Sequence, residues 1–365
     1  MIVFVHLNND FSGSPKVLRD VINVANELNI PHKLYISNSS DYGFLSNTAK
    51  KVSHYWYKRI GKNRFLTFLS LCISQIHLLL KLLLDKEITS DSVIYVNALL
   101  PFGANIYAIF TRRKLICHIH EVSLTPYLFY RSLVVLNRFS SNLNIFVSEE
   151  HFRIAGVKRV KSTVLPNSVD SHFLKNGKDH SYAHKIDGDF VVLMICGAAR
   201  YKGIPEFFEI ARKTGAAKLS ISFKLVINCS PNELQSHIYN ANIPPNVSVS
   251  PVSDNVSSFY SSASLLINLS RPDMWVETFG LTILEAMAFG VPVIAPPVGG
   301  PVNIVSNNAD GFLMDSRQTT KIAHCIIDLY HNPNKHRKMS RAAKIKVKSY
   351  TYEMFKKHLT PLITF

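Results

Sequence analysis

Acidic residues are scarce relative to basic ones in this chain of 365 residues. It contains 25 Asp and Glu against 41 Lys and Arg, which gives a formal net charge of +16 at pH 7. Such an excess favours an anionic partner, such as phosphate groups, nucleic acid or an acidic membrane surface. Apolar residues make up 47% and charged residues 18% of the chain, which excludes a disordered or fibrous protein and predicts two globular domains.

Cysteines are few and follow no spacing pattern. The five thiols form no CxxC pair and stand mostly in apolar runs, at Cys72, Cys117, Cys196, Cys229 and Cys325. This excludes a disulfide framework and a structural zinc site of the CxxC type. We predict buried, reduced thiols and a reducing compartment.

Long uninterrupted hydrophobic runs are also missing. The longest apolar stretch, residues 65–84, is broken by Ser70, Ser74, Gln75, His77 and Lys81. These interruptions predict a core helix of a soluble protein instead of a membrane span. The N-terminal run MIVFV lacks signal-peptide anatomy and predicts a first strand.

Strands alternate with helices along the whole chain. Predicted strands cover residues 2–6, 32–36, 93–96, 115–118, 144–147, 191–196, 223–228, 247–251, 265–269, 292–295 and 311–314. Predicted helices cover residues 16–28, 65–84, 205–213, 278–289 and 319–330, followed by a basic helix at 335–348 and a last segment at 352–362. This alternation predicts the α/β class with doubly wound parallel sheets.

A polar stretch with linker composition, residues 174–189, separates two α/β halves. We predict an N-terminal domain at 1–178, a C-terminal domain at 179–348 and a last helix at 349–365 that packs back toward the N-terminal domain. Ligands of doubly wound sheets bind beyond the carboxyl ends of the strands. Two facing domains would therefore create an inter-domain cleft lined by these strand ends.

The segment NNDFSGSPKVL follows the first predicted strand. Gly13 allows close approach of the backbone to a ligand, and the helix from Lys16 onward offers an N-terminus to an anion. A plain turn fits equally well. The segment does not contain GxGxxG, which excludes a nicotinamide fingerprint.

Two histidines in ICHIHEVSL alternate at strand spacing. His118 and His120 therefore point to the same face, and no third ligand is nearby, so we predict no zinc and no other metal. His120 with Glu121 is the better candidate, because both follow the strand end.

A pair of cations follows the first predicted strand of the second half, in CGAARYKGIPEF. Arg200 and Lys202 precede a helix start and would form a clamp for a diphosphate. Two solvated surface charges are the alternative interpretation.

The segment WVETFGLTILEAMAFG combines two carboxylates with an almost wholly apolar helix. It contains no Lys or Arg to pair with Glu277 and Glu285, and a buried carboxylate without a partner is costly. Sugar hydroxyls can satisfy carboxylates without a cation. We therefore interpret both as ligands of sugar and ribose hydroxyls, on either side of a diphosphate held by the first helical turn at Gly280, Leu281 and Thr282.

The chain resembles the retaining glycosyltransferases of family four, which have the GT-B fold. The resemblance rests on stretches in the family order: SGSPKVL, YVNALLP, HE after a strand, FVSEE, VLPNSVD, RYKG, LINLS, ETFGLTILEAMAFGVPVIAP and GGP. The acid-x7-acid block followed by PVIA and two glycines is the specific element. The chain departs from the family at Asn303, where an acid is usual, and at Ser168, where glycine is common.

The resemblance implies a role for each candidate residue. Glu277 would contact the donor sugar and Glu285 the ribose, while Arg200 and Lys202 would neutralise the diphosphate. His120 would lie near the transferred sugar and the acceptor, and Gly13 would line the diphosphate. No metal or other cofactor is expected, since side-chain cations and a helix dipole would stabilise the leaving group.

The implied function is transfer of a sugar from a nucleotide sugar to a lipid-linked glycan acceptor in surface polysaccharide or lipopolysaccharide synthesis. The basic segment 50–64, which holds Tyr55, Trp56 and Tyr57, favours an anionic membrane surface as partner and a cytoplasmic, peripheral location on the inner membrane face. A solvated loop is the alternative for that segment, and no motif indicates nucleic acid. Alternative functions are a GT-B epimerase, a glycogen-synthase-like enzyme and a non-catalytic membrane- or anion-binding scaffold.

Overall fold

The computed structural model describes residues 1–39, 42–61, 63–155, 157, 159–178, 190–238, 242–253 and 255–364. The chain forms two compact units. One comprises Met1–Ser168 with Glu353–Phe365, and the other comprises Val169–Tyr352. Each unit is built on a parallel sheet, so the predicted α/β class with two doubly wound domains is confirmed.

The first unit contains a seven-stranded parallel sheet. Its strands are β1 (Ile2–Val5), β2 (His32–Ser37), β3 (Val52–Tyr55), β4 (Val93–Asn97), β5 (Leu115–Ile119), β6 (Leu143–Phe146) and β7 (Ser162–Val164). They lie in the order β3-β2-β1-β4-β5-β6-β7, so the winding reverses between β1 and β4. Ile2 pairs with His32 on one side and with Val93 on the other. The connecting helices are α1 (Gly13–Glu27), α2 (Arg64–Leu84), α3 (Phe102–Thr111), α4 (Tyr127–Ser140) and α5 (Glu149–Ala155).

The second unit contains a six-stranded parallel sheet. Its strands are β8 (Phe190–Cys196), β9 (Ile221–Ile227), β10 (Val247–Pro251), β11 (Leu265–Ile267), β12 (Val293–Ala295) and β13 (Gly311–Leu313), in the order β10-β9-β8-β11-β12-β13. Its helices are α6 (Ser171–Lys178), α7 (Ile204–Gly215), α8 (Pro231–Ile238), α9 (Val256–Ser262), α10 (Leu281–Ala288), α11 (Pro301–Ile304), α12 (Thr319–His331) and α13 (Pro333–Lys346). The last helix, α14 (Tyr352–Ile363), joins the first unit, where Lys356 pairs with Glu27 of α1 at 2.6 Å.

The segment 50–64 contains a strand that the sequence analysis missed. Val52–Tyr55 forms the edge strand β3, and the Tyr55 hydroxyl donates to the His6 carbonyl at 2.6 Å. Tyr55 is buried and Tyr57 half-buried, while Trp56 is 36% exposed. The prediction that all three aromatics reach a membrane interface is therefore wrong for Tyr55, and Lys62 lies outside the described residues. The missed strand is short, and the basic residues around it obscure the hydrophobic pattern by which a strand is predicted.

Helix α2 differs from the predicted core helix. By length and composition it could cross a membrane, yet only 33% of its 18-residue apolar stretch is buried. Its buried side includes Ser70, Ser74 and Gln75, whereas many of its large apolar side chains are exposed. The prediction of a core helix is wrong for that outward side.

All five cysteines are free thiols. Cys117 on β5 is buried, whereas Cys72, Cys196, Cys229 and Cys325 are half-buried. Only Cys117 thus fits the predicted full burial.

Candidate functional site

The carboxyl edge of the second sheet brings the loops after β8 and β11 together, at the point where the winding reverses. A 3-10 turn at Arg200–Lys202 ends at Gly203, whose φ is +81°. A Cβ at Gly203 would lie 2.2 Å from the Leu269 carbonyl oxygen, so the close approach requires glycine. The Arg271 amide donates to the Tyr201 carbonyl at 2.8 Å, which joins the two loops.

Glu277 has a protein partner in this arrangement. Its Oε2 accepts a hydrogen bond from Lys202 Nζ at 2.8 Å and one from the Ser270 hydroxyl at 3.3 Å. Both charged side chains are largely buried, with 22% of Lys202 and 18% of Glu277 exposed. The interpretation that Glu277 lacks a protein cation is therefore wrong, because Lys202 reaches it from 75 positions away in the chain.

The pair favours the ionised form of both groups. Burial by itself raises the pKa of Glu277, but the charge of Lys202 and the hydrogen bonds outweigh burial and lower it below its ordinary value. Burial likewise lowers the pKa of Lys202, but Glu277 outweighs that effect and raises it. The site thus holds a fixed ammonium and a fixed carboxylate side by side at neutral pH.

Glu285 also has a protein partner. The hydroxyl of Tyr260, on α9, donates to Glu285 Oε2 at 2.6 Å. Tyr260 is fully buried and stacks on Phe289, and burial followed by the charge of Glu285 raises its pKa well above the ordinary value. The sequence did not indicate Tyr260, and the interpretation that Glu285 depends on a ligand for its hydrogen bonds is wrong.

Helix α10 starts later than predicted, at Leu281 instead of 278. Gly280 caps it with φ +105° and offers no side-chain hydrogen bond, and no acid stands in the first turn. Leu281 and Thr282 are half-buried there. The N-terminus of α10 therefore keeps its positive dipole end for an anionic ligand.

The two glycines after β12 fix the turn that carries Glu277. The Gly300 amide donates to the Glu277 carbonyl at 2.8 Å. A Cβ at Gly299 would lie 2.2 Å from that same carbonyl oxygen, and one at Gly300 would lie 2.3 Å from Phe279 Cα. A side chain at either position would clash with this turn, which is why glycine is required at both positions of GGP.

Arg200 does not join this pair. It is exposed, and in the described part of the chain it forms no ion pair. Between the two predicted cations lies Tyr201, which stacks on Trp275 with ring centroids 5.0 Å apart. Lys202 thus lies in the site, while Arg200 remains at its surface.

His120 lies at the carboxyl edge of the first sheet. Its Nε2 donates to Asn97 Oδ1 at 2.9 Å, and the Glu121 carboxylate accepts from the backbone amides of His120 and Leu99 at 3.2 and 3.0 Å. Burial, followed by the neighbouring histidines, lowers the pKa of His120 well below its ordinary value. His120 is therefore a neutral imidazole whose orientation Asn97 fixes, a role that the sequence analysis did not assign to Asn97.

His118 lies inside the sheet and not in the site. It is fully buried, 2.8 Å from the Tyr95 hydroxyl, and burial lowers its pKa to about 3. Among the residues that the structure describes, no three His, Cys, Asp or Glu side chains are arranged to hold a metal ion. The expectation of a metal-independent reaction remains a prediction.

Gly13 is the first residue of α1, which starts three residues before the predicted helix. It stands beside a small pocket where the first sheet reverses its winding, lined in part by Asn8, Asp10, Ser12 and Ser14. Asp10 accepts a hydrogen bond from the Ser12 amide at 2.9 Å. The sequence analysis missed this acid.

The chain is similar to known glycosyltransferases. Residues 178–346 match the family described as "Glycosyl transferases group 1". It is similar to a sucrose synthase of Nitrosomonas europaea, 38% identical over 24% of this chain and 12% of that protein. It is also similar to a D-inositol 3-phosphate glycosyltransferase of Paenarthrobacter aurescens, 31% identical over 45% of this chain and 41% of that protein. The chain thus matches less than half the length of these relatives.

Solved structures share the fold over almost the whole chain. Anabaena Alr3699/HepE in complex with UDP and glucose superposes with a TM-score of 0.75, over 99% of this chain and 98% of that one, at 18% identity. At this identity the likeness shows a shared fold alone.

Proposed function

We propose that this protein is a retaining glycosyltransferase that moves a sugar from a nucleotide-sugar donor to a lipid-linked glycan acceptor. The observation that carries the proposal is the Lys202–Glu277 pair at the winding reversal of the second sheet, next to the N-terminus of α10. The family match of residues 178–346 supports transfer from a nucleotide sugar.

Donor binding would use the second unit. The helix dipole and the backbone N–H groups of Gly280, Leu281 and Thr282 would hold the diphosphate. Glu285, which accepts from Tyr260, would also accept from the ribose hydroxyls, and Glu277 would accept from the sugar hydroxyls. The presence of UDP in the complexes of Anabaena Alr3699/HepE supports this arrangement.

In the transfer step, the bond between the anomeric carbon and the diphosphate oxygen breaks, and its electron pair stays on the diphosphate. The acceptor hydroxyl bonds to the anomeric carbon on the same face and gives its proton to the departing diphosphate oxygen. Lys202, fixed by Glu277, would stabilise the charge on the leaving group, and the exposed Arg200 would swing toward it. We propose that these cations replace a metal ion, so that no cofactor takes part.

The first unit would serve the transferred sugar and the acceptor. We propose that the neutral His120 contacts the transferred sugar and that Gly13 lines the diphosphate, as the resemblance to the family implies. The neutrality of His120 supports a hydrogen-bonding role, because an imidazole with a lowered pKa does not carry a charge at neutral pH.

The pathway and the location complete the proposal: surface polysaccharide synthesis of the O-antigen or capsule type, on the cytoplasmic face of the membrane. The exposed cations Lys58, Arg59 and Arg64 support contact with an anionic surface. Lys51 adds little, because it pairs with Glu87 at 2.7 Å.

Hydrolysis of the donor in the absence of acceptor tests the enzymatic proposal. Purified protein is incubated with a panel of nucleotide sugars, and the released nucleoside diphosphate is quantified. We expect one donor to be hydrolysed by the wild type and spared by Glu277→Gln. If nucleotide sugars bind but none of them is hydrolysed, the result would support a non-catalytic scaffold instead.

A further inference from the structure

Helix α2 is apolar on its exposed side and mixed on its buried side. Its buried residues are the polar Ser70, Ser74 and Gln75 together with Leu71, Leu78 and Leu82. Its outward side is apolar and exposed, with Phe65, Leu66, Phe68, Leu69, Ile73, Ile76, Leu80, Leu83 and Leu84. A helix on a water-facing surface normally carries polar residues on its exposed side.

The buried polar side chains of α2 are satisfied inside the protein. Gln75 Oε1 accepts from the Gly103 amide at 3.0 Å, and the Ser70 hydroxyl donates to the Lys58 carbonyl at 2.6 Å. A Cβ at Gly103 would lie 2.4 Å from the Gln75 carbonyl oxygen, so α2 and α3 pack closely through a small residue. Small and polar residues between helices, with apolar residues outside, are typical of helices in contact with lipid.

The apolar surface continues across two neighbouring helices. Phe68 of α2 contacts Phe129 of α4 edge-to-face, with ring centroids 5.1 Å apart. Helix α3 exposes Ile109 and Phe110, and α4 exposes Tyr127, Leu128, Val135 and Phe139. We call the exposed apolar side chains of α2, α3 and α4 the apolar face. In the second unit, by contrast, the described residues include only Met274 and Ile345 as exposed large hydrophobics.

The charged residues within the helices of the apolar face have one sign, and the acids directly after α2, Asp85 and Glu87, pair with Lys33 and Lys51. The helices α2, α3 and α4 contain no Asp or Glu. Exposed cations stand on these helices or directly beside them, at Lys58, Arg59, Arg64, Arg112 and Arg131. This combination of an apolar face and a cationic rim complements the acyl region and anionic head groups of a bilayer. It opposes pairing with a second copy, because the two rims would repel each other.

From these observations we propose that the apolar face inserts into one leaflet of an anionic lipid bilayer, with α2 lying in the plane of the membrane. The proposal deepens the proposed function and rests on it for its purpose, which is access to a lipid-linked acceptor. Its test needs no transfer activity, so the two can fail separately.

Flotation of the full chain with vesicles tests the proposal. We expect wild type to float with vesicles of phosphatidylcholine mixed with phosphatidylglycerol, also at high salt, because salt does not screen the apolar contribution. A triple variant Phe110→Ser, Leu128→Ser, Phe139→Ser should lose at least tenfold in vesicle affinity. These side chains are 75%, 81% and 80% exposed, so their replacement should leave the fold intact. Ile345→Ser, which removes a 67% exposed side chain from the second unit, is the matched control and should float like wild type.

Quenching by brominated lipids distinguishes insertion from surface contact. Trp is introduced at two exposed positions in a Trp56→Phe background, as Phe139→Trp in the apolar face and Ile345→Trp in the control position. Lipids brominated in the acyl chain should quench the first variant and not the second. Equal flotation of the triple variant and wild type would overturn the proposal. The proposal would also be overturned if the wild type were a dimer, the triple substitution made it a monomer, and flotation stayed unchanged.

Discussion

Replacing Glu277 by glutamine removes one charge from the Lys202–Glu277 pair and keeps its size. Lys202 then loses a charge-assisted hydrogen bond of 2.8 Å in a place where it is only 22% exposed. Leaving such a charge without its partner costs about 1–3 kcal/mol of unfolding free energy. Turnover of the donor should fall on the order of a hundredfold, which corresponds to about 2.7 kcal/mol in the activation barrier.

A double-mutant cycle measures the pair directly. Urea unfolding is followed by the fluorescence of Trp275 in a Trp56→Phe background, so that the signal reports the second unit alone. The variants are Glu277→Gln, Lys202→Gln and both together. Contacting residues show a coupling free energy of about 0.5–3 kcal/mol, so additivity within about 0.5 kcal/mol would refute the ion pair. Asp328→Asn, which breaks an exposed pair with Lys335, should cost only about 0–1 kcal/mol as a control.

The pH dependence of this coupling has a defined sign. The folded pKa of Glu277 is lowered, so its stabilisation is present above the ordinary glutamate value and is lost as pH falls through the folded pKa. The folded pKa of Lys202 is raised, so its stabilisation is present below the ordinary lysine value and is lost as pH rises through the folded pKa. The coupling should therefore be constant around neutral pH and decrease at both extremes.

Three further predictions concern other parts of the molecule. Tyr260→Phe should weaken binding of the donor's nucleoside diphosphate in calorimetric titration by about 1 kcal/mol, because Glu285 loses a hydrogen bond of 2.6 Å. Tyr330→Phe should bind like wild type. Arg200→Gln should slow donor hydrolysis with little change in the urea midpoint, since the side chain is exposed. Wild-type activity should persist in EDTA, and activity that EDTA abolishes and magnesium or manganese restores would contradict the mechanism. Because the folded pKa of His118 is about 3, the first unit should lose stability as pH falls below the ordinary histidine pKa. In His118→Asn the urea midpoint should depend less steeply on pH. If the urea midpoints of variant and wild type depend equally on pH, the effect belongs to other groups.

The strands of both sheets were largely predictable, because buried parallel strands are short apolar runs with β-branched residues. Val93–Asn97 and Phe190–Cys196 agree with the prediction to within one residue at either end. The missed strand Val52–Tyr55 lies at a sheet edge, where three of four side chains are not buried, so its pattern is weak. The outward apolar side of α2 also escaped prediction, because hydrophobicity alone does not show whether a side chain is buried in the protein or exposed at its surface.

For the site, the sequence identified the right loops but not their mutual contacts. Lys202 and Glu277 were both candidates, yet their pairing depends on adjacent loops that are distant in sequence. Tyr260 acts through its contact with Glu285, and nothing in its local sequence distinguishes it from other buried polar residues. Asn97 lies in the YVNALLP stretch, but that stretch does not reveal its contact with His120.

The stereochemistry of donor turnover tests the central proposal most directly. The nucleotide sugar that stabilises the protein most in a thermal-shift panel is incubated with wild type, and the released sugar is followed by proton NMR before the anomers equilibrate. We predict that an α-linked donor gives the α-anomer first, together with free nucleoside diphosphate, and that Glu277→Gln gives neither at a comparable rate. Initial release of the β-anomer, or an intact donor in every reaction, would contradict the assignment of a retaining glycosyltransferase.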